Sequence, residues 1–145
     1  MPTLQSNYTQ YHDGAQLGMI ADSRYKAVRS MTYEGATALG FGLALTFGAN
    51  DNGADLGGTV FAGIVVSQKV LDPVNNATAY VQYDTVGLMT QGSIWVEASV
   101  AVAAGDPVHF DAATGVISNT GGVQITDAVF ETSAQAGDLA RVYMQ

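Results

Sequence analysis

"AAGDPVHFDAATGVIS", Ala103–Ser118, decides how the chain is read. Val108 and Phe110 point one way along an extended segment and His109 points the other, the period-2 pattern of a half-buried strand. A turn across Asp111–Thr114, with Gly115 after it at a positive φ, reverses the chain and pairs Val108–Phe110 with Val116–Ser118 as a hairpin. A shortened echo, "QAGDLARVYM", occupies Gln135–Met144. In both copies a Gly-Asp step, Gly105-Asp106 and Gly137-Asp138, stands just before a strand. There Gly supplies an unusual dihedral and the Asp side chain accepts a bond from a nearby backbone amide. The two steps read as matched corners of one barrel, with a structural role and no chemistry of their own.

Working outward, the same punctuation covers most of the chain. "LGFGLALTF", "TVFAGIVVSQ", "TAYVQYDTVGLM", "SIWVEASVAV", "DPVHFD", "GVIS", "AVFETSA" and "LARVYM" are short runs rich in Val, Ile, Phe, Tyr and Thr, separated by Gly, Asn, Asp or Pro. In one of them Ile94 and Val96 oppose Trp95 and Glu97. About eight short strands predict an all-β fold, a small β-barrel or sandwich-like body spanning residues 38–145. Residues 1–37 lack a sustained period of 2 or 3.6 and read as an irregular N-terminal arm or lead-in, with a short helical turn around Ala21–Val28.

Composition sets what such a body is for. Only 12% of the residues are charged, about half the usual share, so the skin is polar but weakly charged and suits a protein packed against neighbours. The net charge of −8 sits mostly after Val70, where eight acids face only Arg141. Nucleic-acid binding needs a basic patch. The sole basic cluster, "SRYKAVR" at Ser23–Arg29, is too small to offset that acidity. It leaves two readings open: a solvated face, or a docking strip for an acidic partner surface carried by Arg24, Lys26 and Arg29. The longest apolar stretch, "ALGFGLALTFGA", is too short and too Gly-broken to span a bilayer, and the start has no secretory-signal layout. Synthesis in the cytoplasm and no membrane partner follow as expectations.

Catalytic equipment is sparse. There is no cysteine, which removes disulfides, thiolate nucleophiles and Cys-based metal sites. His12 lies in the polar arm and His109 on the outward side of a strand, and no Gly-x-Ser-x-Gly elbow exists. Asp106 and Asp111 flank a hairpin strand and already have turn roles, which weakens a paired-carboxylate reading. "GANDNGADLGG", Gly48–Gly58, fails the calcium-loop spacing because Ala62 stands where the closing Glu belongs, and reads as a flexible hairpin loop. Lys69, preceded by Gln68, lacks the local pattern of a carrier lysine. The expectation is therefore no catalytic residue, no cofactor and no metal site.

Several stretches together resemble the tailed-phage structural cement proteins, which decorate capsids. They are "GMIADSRYKAVRSMTYEGATALGFGLAL" (Gly18–Leu45), "FAGIVVSQ" (Phe61–Gln68), "AYVQYDTVGLMTQGSIWVEASVAVAAGDPVHFDAATGVI" (Ala79–Ile117) and "SAQAGDLARVYM" (Ser133–Met144). The order and spacing of "QYD", Gly-x-Ile-Trp-Val, "AAGDPVHFD…TG" and "AGDLARV" carry the likeness. The resemblance implies a β-barrel-like body, a homodimer or homotrimer, and a place on the outer face of a virion, bound to the major capsid protein lattice and bridging capsomers. The family has no catalytic motif to transfer. With that lattice as partner, the capsid-docking candidates are Arg24, Lys26 and Arg29 together with Tyr8 and Tyr11. The alternative is a carbohydrate-binding β-module using exposed aromatics among Tyr8, Tyr11, Tyr25 and Tyr33.

Overall fold

Nine strands and no helix make up the described part of the computed structural model, which comprises residues 15–67 and 79–145. They are β1 (Ala27–Tyr33), β2 (Ala44–Phe47), β3 (Gly53–Asp55), β4 (Phe61–Val65), β5 (Thr85–Glu97), β6 (Pro107–Phe110), β7 (Ile117–Ser118), β8 (Val123–Phe130) and β9 (Leu139–Met144). β1, β3, β2, β4 and β5 follow one another round a closed five-stranded barrel, which the β1–β5 pairing seals. β5 then continues into a second sheet, in the order β5-β9-β8-β6-β7. The all-β, barrel-like expectation holds, with nine strands in place of about eight.

β5 is the strand both sheets share. Its first half pairs with β1 from Thr85 to Gln91 and with β4 at Leu88 and Met89. Its second half pairs with β9 from Gly92 to Glu97. Gly92, at φ 115°, stands where the strand passes from one sheet to the other, and a Cβ there would lie 2.8 Å from the Cβ of Lys26. Only glycine accepts both that dihedral and that approach.

The two-sidedness of β2, β4 and β5 divides the buried residues into two clusters. Leu45, Ala62, Val65 and Leu88 join Met31, Tyr33, Leu39 and Tyr80 inside the barrel. Their strand neighbours Ala44, Ile64 and Met89 face outward, onto Ile94, Val96, Val108, Phe110, Phe130 and Val142 of the second sheet. The barrel wall is thus apolar on both faces where the second sheet covers it, which is why these strands read as continuous apolar runs.

Three features depart from the sequence reading. Ala27–Tyr33, which alternation alone left in the lead-in, forms β1, and no helical turn forms around Ala21–Val28. "GANDNGADLGG", read as a loop, contains β3, which pairs with both β1 and β2. "TAYVQYDTVGLM" and "SIWVEASVAV", read as two strands, contribute to the single 13-residue β5, preceded by a turn at Val81–Asp84.

Candidate functional site

The two Ala-Gly-Asp steps build one local structure twice. Gly105 and Gly137 adopt φ 95° and 87°, and the amides of Asp106 and Asp138 each donate to the carbonyl three residues back, on Ala103 and Gln135, at 3.1 Å. Glycine third in such a turn is the type II arrangement. Gly105 N–H donates to the Phe130 carbonyl at 2.7 Å, and the Phe130 amide returns a bond to the Asp106 carbonyl at 2.9 Å. Gly137 and Asp138 embrace Ala98 in the same way, at 2.7 and 3.0 Å. Between these clasps Val102 and Ala134 exchange both backbone bonds. Ala98–Asp106 therefore lies antiparallel to Phe130–Asp138 as two copies of one unit, and Gly137 follows Gly105 by 32 residues.

The carboxylates of the two copies differ. Asp106 Oδ2 accepts from Ala103 N–H and from Asn119 Nδ2, both at 2.9 Å, and these bonds, the Ala103 amide first, hold its carboxyl below the ordinary Asp range. Among the described residues no such bond reaches the Asp138 carboxylate. The expected side-chain bond is thus corrected for Asp138. Gly115, at φ 75°, closes the β6–β7 hairpin: its amide donates to Asp111 at 2.6 Å, and its carbonyl accepts from Ala44 N–H at 2.9 Å. Asp111 Oδ1 accepts from the Ala113 amide at 2.9 Å.

The basic cluster separates into unlike parts. Arg24 is held by two carboxylates, Asp22 at 2.7 Å and Glu131, and its guanidinium lies 4.2 Å from the centre of the Tyr143 ring. Glu131 also binds Arg141 at 3.1 Å. The Arg24 guanidinium in turn lowers the Asp22 carboxyl. Arg24 thus fastens the lead-in to the second sheet. Arg29 reaches across one end of the barrel, donates to the Ala62 carbonyl at 3.3 Å and stacks 4.9 Å from the Phe47 ring. Neither Arg29 nor the exposed Lys26 has a carboxylate partner among the described residues. Tyr25, 78% exposed, Val28, Phe47 and Val60 are exposed as well, and Phe47 bonds Val60 through the backbone at 3.1 Å. Arg29, Phe47 and Val60 form an exposed patch of basic and apolar character.

Of the other candidates, Tyr8, Tyr11, His12 and Lys69 lie outside the described residues. Tyr33 is fully buried and its hydroxyl donates to the Thr37 carbonyl at 2.8 Å, which removes it from any aromatic glycan surface. His109 Nδ1 lies 2.9 Å from the Gly121 carbonyl. Among the described residues no cluster of His, Asp and Glu could hold a metal ion. Two residues escaped the sequence reading. Glu34 gathers the 48–52 loop by accepting from the amides of Ala49 and Asn50 and from Asn50 Nδ2, the last at 2.7 Å, and these bonds, that of the Asn50 side chain foremost, lower its carboxyl. Tyr83 stands 72% exposed beside the end of β1, with a φ of 72°. It is pinned there by a 2.6 Å amide bond to the Tyr33 carbonyl.

Residues 4–145 match the family model described as structural cement protein (E217 gp24/Pam3 gp6). No curated protein matches the chain. Among solved structures, the capsid of Myoviridae phage XM1 aligns over 100% of this chain and 98% of its own, with a TM-score of 0.72 and 18% identity. The N base of head fiber gp8.5 of bacteriophage phi29 aligns over 83% of this chain and 95% of its own, with a TM-score of 0.55 and 12% identity. At these identities the likeness is one of fold.

Proposed function

Because the chain belongs to the phage structural cement protein family, and so is a capsid-associated component of the virion, we propose that it binds the outer surface of the major capsid protein lattice. There it stabilises the head by bridging capsomers, as a homodimer or homotrimer and without catalysis. The observation that carries this reading is the mixed patch at Arg29. Lys26 and Arg29 have no carboxylate partner among the described residues; Phe47 and Val60 expose apolar surface beside Arg29, and Tyr25 and Val28 are exposed in the same segment as Lys26. Apolar anchors ringed by a few unpaired charges are what a protein interface uses for affinity and register. The outer position fits the charge: a chain at −8 is repelled by packaged DNA.

Co-sedimentation with expanded shells of the parent virus tests this. The wild-type protein pellets with the shells, and Lys26→Glu combined with Tyr25→Ala weakens binding about tenfold or more, the loss expected of an interface anchor, with an unchanged melting temperature. A wild-type protein that stays in the supernatant at saturating shell concentration overturns the reading.

A further inference from the structure

An open groove of about 390 Å³ lies where the two sheets part company. Its walls are Val60 just before β4, Phe61 at the start of β4, Thr90 of β5, Ile125 in the first half of β8, and Met144 at the end of β9, and no lining side chain is charged. The β8 wall is an unpaired sheet edge. On one side β8 pairs with β6 at Val123 and Gln124. On the other, β9 reaches only Ala128 through Met144, with Gln145 N–H donating to the Asp127 carbonyl at 3.0 Å. Asp127, at φ 58°, breaks the ladder at that point. Among the described residues, Val123–Thr126 has no backbone partner on the β9 side. An uncovered edge beside an apolar trough is a template for an added strand.

We propose that this groove receives residues 1–12 of a neighbouring copy as an added strand alongside Val123–Thr126. Three observations select this occupant. The segment "MPTLQSNYTQYH" contains no Asp, Glu, Lys or Arg, matching a trough without charge, where an ionised side chain is left unpaired at a cost. Thr3, Tyr8, Thr9 and Tyr11 are residues that suit a strand. The third observation is direction. Gly18 N–H donates to the Trp95 carbonyl, Ala21 N–H to that of Ser93, and Ile20 bridges Ile94. The lead-in therefore runs along β5 from Trp95 toward Ser93. Traced backwards it passes Leu17, which lines a small cleft with Glu97, and departs from the end of β5 opposite to Gly92 and Met144, where the groove opens. At Ala15 the described chain heads away from its own groove, and a stretch of fourteen residues can span up to about 46 Å if extended, enough to reach another copy. This goes beyond attachment to the shell and does not depend on it.

The absence of native cysteine makes the test direct. Full-length Tyr8→Cys protein is mixed with a mass-tagged Thr126→Cys protein and oxidised in solution. A disulfide-linked pair with one chain of each kind is expected. Adding Val60→Asp, which puts a charge on a groove wall that is 61% exposed, to the Thr126→Cys chain should abolish it without lowering the melting temperature by more than a few degrees, and a Val81→Cys protein, modified at an exposed site outside the groove lining, should give no pair with Tyr8→Cys. Absence of the mixed disulfide overturns the proposal. So does ring closure within a dilute Tyr8→Cys/Thr126→Cys chain, since the segment then occupies its own groove. Shell co-sedimentation, read separately on the wild-type protein, keeps failure of this inference distinct from failure of the shell-binding one.

Discussion

At the scale of single residues, the repeated corner separates effects that the sequence made look equal. Gly105 and Gly137 hold positive φ values, and a Cβ at either would meet nothing within 4 Å. Substitution there costs backbone strain alone, and Gly→Val at each should destabilise by about 1–3 kcal/mol. Gly115 differs, because a Cβ would also lie 2.7 Å from the Ala44 carbonyl oxygen, so Gly115→Val should exceed that range. The aspartates divide in the opposite sense from their shared motif. Asp106→Ala removes the acceptor of two bonds and should lower the unfolding midpoint measurably. Asp138→Ala removes none that the described residues make and should leave the midpoint near wild type. Denaturant unfolding of the five variants checks the order, and equal losses at the two aspartates would show that the second corner depends on its carboxylate after all.

At the scale of elements, β5 is where the two cores are coupled, and Gly92 is its pivot. Gly92→Val adds steric overlap with the Lys26 Cβ to an unfavourable φ. Its cost should exceed the about 1–3 kcal/mol of strain alone, because β1 and β9 both register on the residues beside it. Unfolding of Gly92→Val against Gly105→Val measures this, and a loss no larger than that of Gly105→Val would remove Gly92 from the pivot role. Legibility in the sequence followed the same mechanics. β9 and the β6–β7 hairpin were readable because apolar alternation and turn glycines agree there. β1 was not, since in "AVRSMTY" only Met31 and Tyr33 are buried while Val28, Arg29 and Ser30 are exposed, and its place comes from long-range pairing with β5. β3 is three residues held between two neighbours, too short for any period. The polar Thr90-Gln91-Gly92 step hid the continuity of β5. Of the docking candidates, the basic cluster was visible, but the capture of Arg24 by Glu131, 107 residues away, is a tertiary fact without a local signal.

At the scale of the whole molecule, the weakly charged surface and the open β8 edge argue that the described fold is mechanically complete while its attachment is not. Both core clusters of the described residues are built from Ile20 onward, and the ion pairs that fasten the lead-in begin at Asp22. Deleting Met1–His12 should therefore leave the unfolding midpoint close to wild type. It should also remove the added strand from neighbouring copies, with Tyr8 and Tyr11, which the sequence marks as docking candidates, and so weaken self-association and shell retention by about tenfold or more, the equivalent of roughly 1.4 kcal/mol. Because the segment up to His12 carries no charged side chain, the lost affinity should be nearly independent of ionic strength. The affinity lost in the Lys26→Glu variant should fall as salt screens its charge. Sedimentation of both variants at low and high salt, alongside thermal melting, separates the two attachments. A large drop in melting temperature with unchanged retention would place residues 1–12 within the folded body, and the assignment of these residues to a neighbour would be withdrawn.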